Sequence, residues 1–525
     1  MTVKWWRVVS WLISGLLIGG WLWQLPVQAK VTTPKVLLVY DSQNVAQQDQ
    51  RKVAAVQRIL TGIQVRVKTE VAADYQAGSL RHYQGVITMI NWPQTDLNNT
   101  AFVRDRRRFN GMKLHIGPRL TADEAAGLHV KRANLYQQQF TLQNKNGHLH
   151  QLLAFSETMV ALTHLPAKAQ TIGYLKSQSV DQRRYPYGTI VGRQGYLPYL
   201  STGGYSFVLA AQTIAMLFSQ AGHYQPLLTI TKVTPYTNMA VLERLSLKLY
   251  QRGIPFAIST TTVGNHAHFK AFQRFARVLR LVENRGGVVF LKMPAVGGVT
   301  TSSGPGLSTL IDNELIQFAQ NQVYPVGMSA SAYWNQDAIY RQNALEKADH
   351  LLWLPNPASP VYAKQDNTAT TFKQSFYGLD AASLETVTKG STLGKVATDF
   401  PIPTAVTFTM PNSRRSLQNL MRRLDRLNYR WFNPATQLTP TKIASGTVSF
   451  GYQHGTYFLN GQATTITDTQ PRPKKLAAVK METTWVNRFF KTQGTVLLAF
   501  FIITFIVFVL FIVLGRRLYL NMFKR

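Results

Sequence analysis

The chain of 525 residues contains no cysteine, which removes disulfides, thiolate metal sites and any cysteine nucleophile together. Acid is scarce as well: 24 Asp and Glu stand against 57 Lys and Arg, a formal charge of +33. The excess cation is spread along the chain instead of gathered in one tail, and such a surface attracts polyanions. No Gly-rich phosphate loop follows Tyr40, and no Gly-x-Ser-x-Gly elbow occurs, which disfavours a phosphate-cradling site and an α/β-hydrolase. Glycosidase chemistry needs two carboxylates facing across a cleft, yet Glu283, Asp312 and Glu314 fall in helical patterns and not at strand ends.

What is present is a composition 45% hydrophobic over a length that suits two ordinary domains, flanked by two hydrophobic ends. Lys4 and Arg7 precede an uncharged stretch over 8–29 that closes on Val27-Gln28-Ala29, the pattern of a signal peptide or a signal anchor. Residues 496–514 form a charge-free run long enough, at about 1.5 Å per residue, to cross a bilayer core of about 30 Å. Arg516, Arg517, Lys524 and Arg525 follow, so the positive-inside rule puts the C-terminus in the cytoplasm and the bulk of the chain outside the cytoplasmic membrane. In composition the chain resembles exported proteins of many Gram-positive bacteria. The polyanions expected nearby are then teichoic acids, other anionic wall polymers and lipid headgroups. Nucleic acid is not an expected partner, because the basic region lies outside and carries no motif for it.

From Lys35 the pattern alternates. Val36 to Tyr40 reads as a buried parallel strand, Val53, Val56 and Leu60 recur at helical spacing, Val65 and Val67 alternate with Arg66 and Lys68, and two more apolar runs follow at 85–90 and 112–116. That order predicts an open α/β domain over 30–224. Its second half, from about Gln138, breaks into short strand-like pieces at 139–142, 150–155 and 171–175, and an apolar helix over 205–219 closes it. Asp41 and Ser42 at the first strand end read as residues that cap the next turn. The histidine pairs His148/His150 and His266/His268 lack an evident third ligand and read as surface residues.

A second domain is expected over 225–434. A strand at 226–230 leads to a helix over 237–251 with Met239, Leu242, Leu245 and Leu249 on one side. Next come a strand at 255–259, an amphipathic helix marked by Phe269, Phe272, Phe275, Leu279 and Val282, and a strand at 288–291. Repeated units of this length suggest a barrel. Residues 435–491 read as a strand-containing extension in which "GTVSFGYQHGTYFLNG" predicts a hairpin, and 515–525 as a basic cytoplasmic tail.

The runs "LLTITKVTPYTNMAVLERLSLKLYQRGIPFAIS", "ENRGGVVFLKMPAVGG" and "QVYPVGMSASAYW" resemble the polysaccharide-deacetylase superfamily, in an uncharacterised branch of membrane-anchored bacterial proteins, over roughly 226–434. The resemblance implies a distorted (β/α) barrel with its site at the C-terminal strand ends. It also implies an acidic pair after the first strand, where this chain has Thr231-Lys232-Val233-Thr234-Pro235, and two metal-binding histidines after the third, where it has Lys292 and Val296. Later landmarks, Pro-His-Tyr and His-Pro, appear as Ser331-Ala332-Tyr333 and Met410-Pro411. A protonated Lys offers a metal no lone pair, so no catalytic residue, metal or cofactor is assigned.

The expected ligand-binding residues at the barrel mouth are Lys232 and Lys292, holding an anionic group, with Tyr236, Tyr333 and Trp334 offering aromatic faces to sugar rings. The Gly/Ser/Thr-rich stretch 297–308 is expected as a lid or insertion there. The leading functional expectation is an inactive deacetylase-like protein that binds or guides a cell-envelope or extracellular polysaccharide. The alternatives are an active carbohydrate deacetylase or hydrolase with a relocated site, and a structural partner of a membrane glycosyltransferase.

Overall fold

The computed structural model describes residues 33–42, 50–92, 97–154, 156–179, 182–261, 269–294, 298–357, 366–385, 399–427, 429–466 and 485–522. The hydrophobic segment expected over 1–29, and the pair His266/His268, lie outside the described residues. From Lys35 onward the chain forms one compact unit, and one cluster of buried side chains runs from Val36 to Tyr457.

The alternating pattern near the start builds β1 (Lys35–Tyr40), α1 (Gln50–Gly62), β2 (Arg66–Val71), β3 (Gly85–Met89), α2 (Thr100–Arg108), β4 (Met112–Ile116) and α3 (Ala122–Gly127). The four strands pair in parallel in the order β2-β1-β3-β4. Val36 to Val39 are fully buried because both faces of β1 are covered, which is why the strand reads as an apolar run and not an alternation.

The sequence then supplies β5 (Lys131–Gln138), β6 (Phe140–Gln143), β7 (His150–Leu152), β8 (Ser156–Thr163), β9 (Gln170–Ser177), β10 (Arg184–Val191), β11 (Gln194–Leu197) and α4 (Gly204–Leu217). The sheet is not a self-contained parallel layer. It continues past β4 through β11, which is parallel, into the antiparallel run β10-β9-β6-β7, while β5 and β8 form a separate ribbon.

Seven parallel strands close the barrel: β12 (Leu227–Val233), β13 (Phe256–Thr260), β14 (Gly287–Lys292), β15 (Gly327–Ser331), β16 (His350–Leu354), β18 (Gln374–Asp380) and β19 (Thr404–Thr409). The short β17 (Thr368–Ala369) leaves the barrel to pair with β2, adding a tenth strand to the first sheet. Helices α5 (Met239–Gln251), α6 (Lys270–Asn284), α7 (Gly304–Gln320), α8 (Ala338–Asn343), α9 (Ala381–Glu385), α10 (Arg414–Arg426) and α11 (Pro434–Gln437) connect and follow the strands. Leu242, Leu245 and Leu249 on α5, and Phe275, Leu279 and Val282 on α6, have no exposed surface. Each such side chain contributes roughly 2 kcal/mol of burial. Gly253 and Gly286 end these two helices in the left-handed conformation that glycine adopts without penalty.

The sheet and the barrel meet at a polar seam inside the packing. Arg58 of α1 is buried and donates to the carbonyls of Trp353 and Gly378 and, at 2.8 Å, to the Tyr377 hydroxyl, with its guanidinium 4.0 Å from that ring's centre. Beyond the barrel, β20 (Thr441–Ala444), β21 (Ser449–Gln453), β22 (Thr456–Leu459) and β23 (Gln462–Thr464) make an antiparallel sheet. The expected hairpin is β21–β22, turned by His454 and Gly455 at positive φ. The last helix, α12 (Trp485–Met522), contains a stretch of 23 residues, Leu497–Tyr519, long and apolar enough to cross a membrane.

Candidate functional site

Strand register determines which side chains line the barrel. Residues paired across parallel strands point the same way and alternate along each strand. The Ser259 and Ser329 hydroxyls lie 2.7 Å apart across the intervening β14, so both face inward. Following the pairings from them puts Thr229, Thr231, Phe290, Lys292, Ser331, Asp380, Thr407 and Thr409 on the same inner surface. The inner layer below the mouth is therefore partly hydroxylic, and the C-terminal rim is polar apart from Leu354, which pairs with Ser331 at the end of β16.

At that rim β12 is irregular. Ile230 pairs with Ile258 and Val233 with Thr260, so three steps on β12 match two on β13. The extra residue is a β-bulge, and Lys232 sits in it at φ 59°, a left-handed conformation that disfavours any residue with a Cβ. The distortion is pinned on both sides: Met410 N–H donates to the Thr231 carbonyl at 2.9 Å, and the Thr260 hydroxyl donates to the Val233 carbonyl at 3.0 Å.

Lys292, which faces inward at the C-terminal end of β14, is half-buried. Burial, then the neighbouring charge of Lys232, holds its ammonium below the usual lysine range. Neither amine forms a hydrogen bond or ion pair with another described residue. The one acid among the inward rim residues, Asp380, is three strands from Lys292 and two from Lys232 around the barrel, and it accepts from the Ala382 N–H at 2.9 Å. A bulged lysine and a desolvated lysine thus share one edge of the mouth, a local concentration of positive charge that suits an anion.

The other expected site residues divide. Tyr236 is 82% exposed on the loop after the bulge, a loop fixed by the Thr234 N–H donating to the Thr237 hydroxyl at 2.9 Å. Tyr333 and Trp334 do not present open faces. They are buried in the turn after β15, where Trp334 packs edge-on against Tyr340 at 4.9 Å and the Tyr333 N–H donates to the Asn356 side chain. Of the stretch 297–308, residues 304–308 are the first turn of α7 and not lid, because Gly304-Pro305 opens that helix.

Asp41 does more than cap its own turn. Its carboxylate accepts from the N–H groups of Asn91 and Trp92, at 2.7 Å each, and so ties the end of β1 to the segment after β3. Burial raises its carboxyl above the usual range against these donors. His148 and His150 are both exposed. Glu283, Asp312 and Glu314 are buried in helices, as their pattern indicated. Burial pushes Glu283 up to about 8, while Asp312 pairs with Lys347 at 2.8 Å. No group of three or more His, Asp or Glu that could hold a metal ion occurs among the described residues.

Three features were not anticipated from the sequence: the bulge at Lys232, the inward serine pair, and a buried cluster in the first sheet. In that cluster Glu124 receives His115 Nδ1 at 2.9 Å and Arg106 Nη1 at 2.9 Å. Burial works to raise its pKa, but His115 and Arg106 hold it down at about 2. The serines carried a readable signal once closure was known, since Ser259 and Ser329 lie on the same face of strands two apart.

No family model matches the chain, and no curated protein matches it. Among solved structures, a ThuA-like protein from Parabacteroides merdae is similar over 36% of this chain and 88% of its own, with 12% identity and a TM-score of 0.22. Pyruvate kinase from Pyrobaculum aerophilum is similar over 63% of this chain and 68% of its own, with 11% identity and a TM-score of 0.15. At these scores neither likeness says anything of what the chain does.

Proposed function

We propose that this chain is a membrane-anchored, extracytoplasmic protein whose barrel mouth binds an anionic segment of a cell-surface polysaccharide and guides it without chemical change. The observation that carries the reading is the pair Lys232 and Lys292. One is held in a disfavoured backbone conformation and the other is half-buried beside a like charge. Each arrangement destabilises the folded chain, and a bound anion would offset both. The inward hydroxyls of Thr231 and Ser331 and the exposed ring of Tyr236 supply further contacts of the kind a sugar uses. The resemblance to polysaccharide deacetylases supports the same ligand class, with lysines standing where the family's metal ligands would be.

The test is a titration of the full-length chain in detergent with a fluorescent oligogalacturonate, alongside a neutral dextran oligomer of equal length. Lys292→Met is expected to weaken binding of the acidic oligomer by about tenfold, since a hydrogen bond to a charged group is worth about 1.5–3 kcal/mol. The ammonium is the binding form and its proton is lost below the ordinary lysine range, so affinity should fall with rising pH while exposed lysines are still charged. Unchanged affinity in Lys292→Met overturns the reading. Release of acetate from an acetylated oligosaccharide by the wild-type chain would replace it with a hydrolytic one.

A further inference from the structure

A second basic cavity lies in the first sheet. Its volume is about 680 Å³ and its lining includes Lys145, His164, Tyr174, Arg183 and Arg184, a size within the usual range for ligand sites. The local sequence explains why these side chains converge. Along β6 and the second half of β9, residues 174–177, every second residue is buried, with Phe140, Leu142 and Leu175 in the core, so the partners Thr141, Gln143, Tyr174 and Lys176 turn to the other face. Antiparallel pairing sets Arg184 opposite Lys176 and Pro186 opposite Tyr174 on that same face. The Arg184 guanidinium stacks 4.5 Å from the Tyr174 ring centre and donates to the Lys145 carbonyl at 3.3 Å, which fixes its planar fork at the edge of the cavity.

Among the described residues the lining holds three permanent cations and a histidine but no carboxylate. Scattered surface lysines remain solvated and apart. Here the cations meet around one hollow, and one of them is held in place by an aromatic ring and a backbone carbonyl. A planar guanidinium with free donor edges matches a carboxylate or phosphate oxygen pair.

We infer that this cavity is a second binding site for an acidic polysaccharide, built from the β6–β9–β10 face and separate from the barrel mouth. The inference rests on the barrel-mouth reading for its ligand class, and on none of its residues. Two sites in one chain would let a linear polymer be held at two points, which raises avidity without any new contact.

The experiment uses the same full-length chain and fluorescent oligogalacturonate, with Lys145→Ala/Arg184→Ala compared against Arg415→Ala/Arg422→Ala, two exposed arginines of α10 outside both sites. Loss of about tenfold in the first pair with little change in the second is expected, since about 1.4 kcal/mol corresponds to that factor. Equal losses in the two pairs mean that general surface charge attracts the oligomer, and overturn the inference. An effect in Lys292→Met with none in Lys145→Ala/Arg184→Ala rejects the cavity and leaves the barrel mouth standing. The reverse pattern rejects the mouth and leaves the cavity.

Discussion

Lys232 is the residue on which the functional reading turns. Glycine occupies a left-handed bulge position without cost, whereas lysine there carries a penalty of about 1–2 kcal/mol. On the proposed reading, attraction of its charge to a bound anion offsets that penalty. Lys232→Gly should therefore raise the stability of the chain, by up to about 1 kcal/mol after glycine's greater flexibility in the unfolded state is allowed for, while weakening capture of an acidic oligosaccharide. Thermal unfolding and oligogalacturonate binding measured on one preparation check both halves. A loss of stability would mean that the lysine side chain holds the bulge together and has no need of a ligand.

Among the elements, the seam between α1 and the barrel deserves the closest test. Arg58 is buried against Tyr377 and satisfies two barrel-strand carbonyls. Arg58→Ala leaves those acceptors without their donor and opens a void, so a loss of about 3 kcal/mol is expected, read as a lowered midpoint in chemical denaturation. A change below about 1 kcal/mol would show that water replaces the guanidinium at little cost. This seam also marks where the sequence stopped being legible. Periodicity located β1, α1, β3, β4, α5 and α6 within a few residues because each buries a whole face, and the repeated units pointed to a barrel. Nothing local announces that β10, β9, β6 and β7 extend the first sheet, that β17 crosses over to pair with β2, or that one cluster of buried side chains spans sheet and barrel. Those are pairings between distant segments. At the site, lysines at strand ends were visible in the sequence. Their shared edge depended on closure and on a one-residue bulge, and Trp334 looked like a mouth residue only because burial in the turn after β15 leaves no trace in spacing.

For the whole molecule, the Leu497–Tyr519 stretch fits a bilayer at about 1.5 Å per residue, and the proposed role requires the barrel to lie outside. The absence of cysteine makes this directly testable. A cysteine placed at exposed Gln462 should react with a membrane-impermeant maleimide in intact cells, and one placed at Met522 should react only after lysis. The opposite pattern would put the barrel in the cytoplasm and remove cell-surface polymers as ligands. With orientation settled, the decisive measurement is carbodiimide coupling of an oligogalacturonate to the full-length chain, followed by peptide mass spectrometry of the new amide bonds. Binding at the barrel mouth predicts that Lys292 and Lys232 are joined to the sugar ahead of the lysines outside the two proposed sites, whereas adducts scattered over exposed lysines with Lys292 untouched would contradict it.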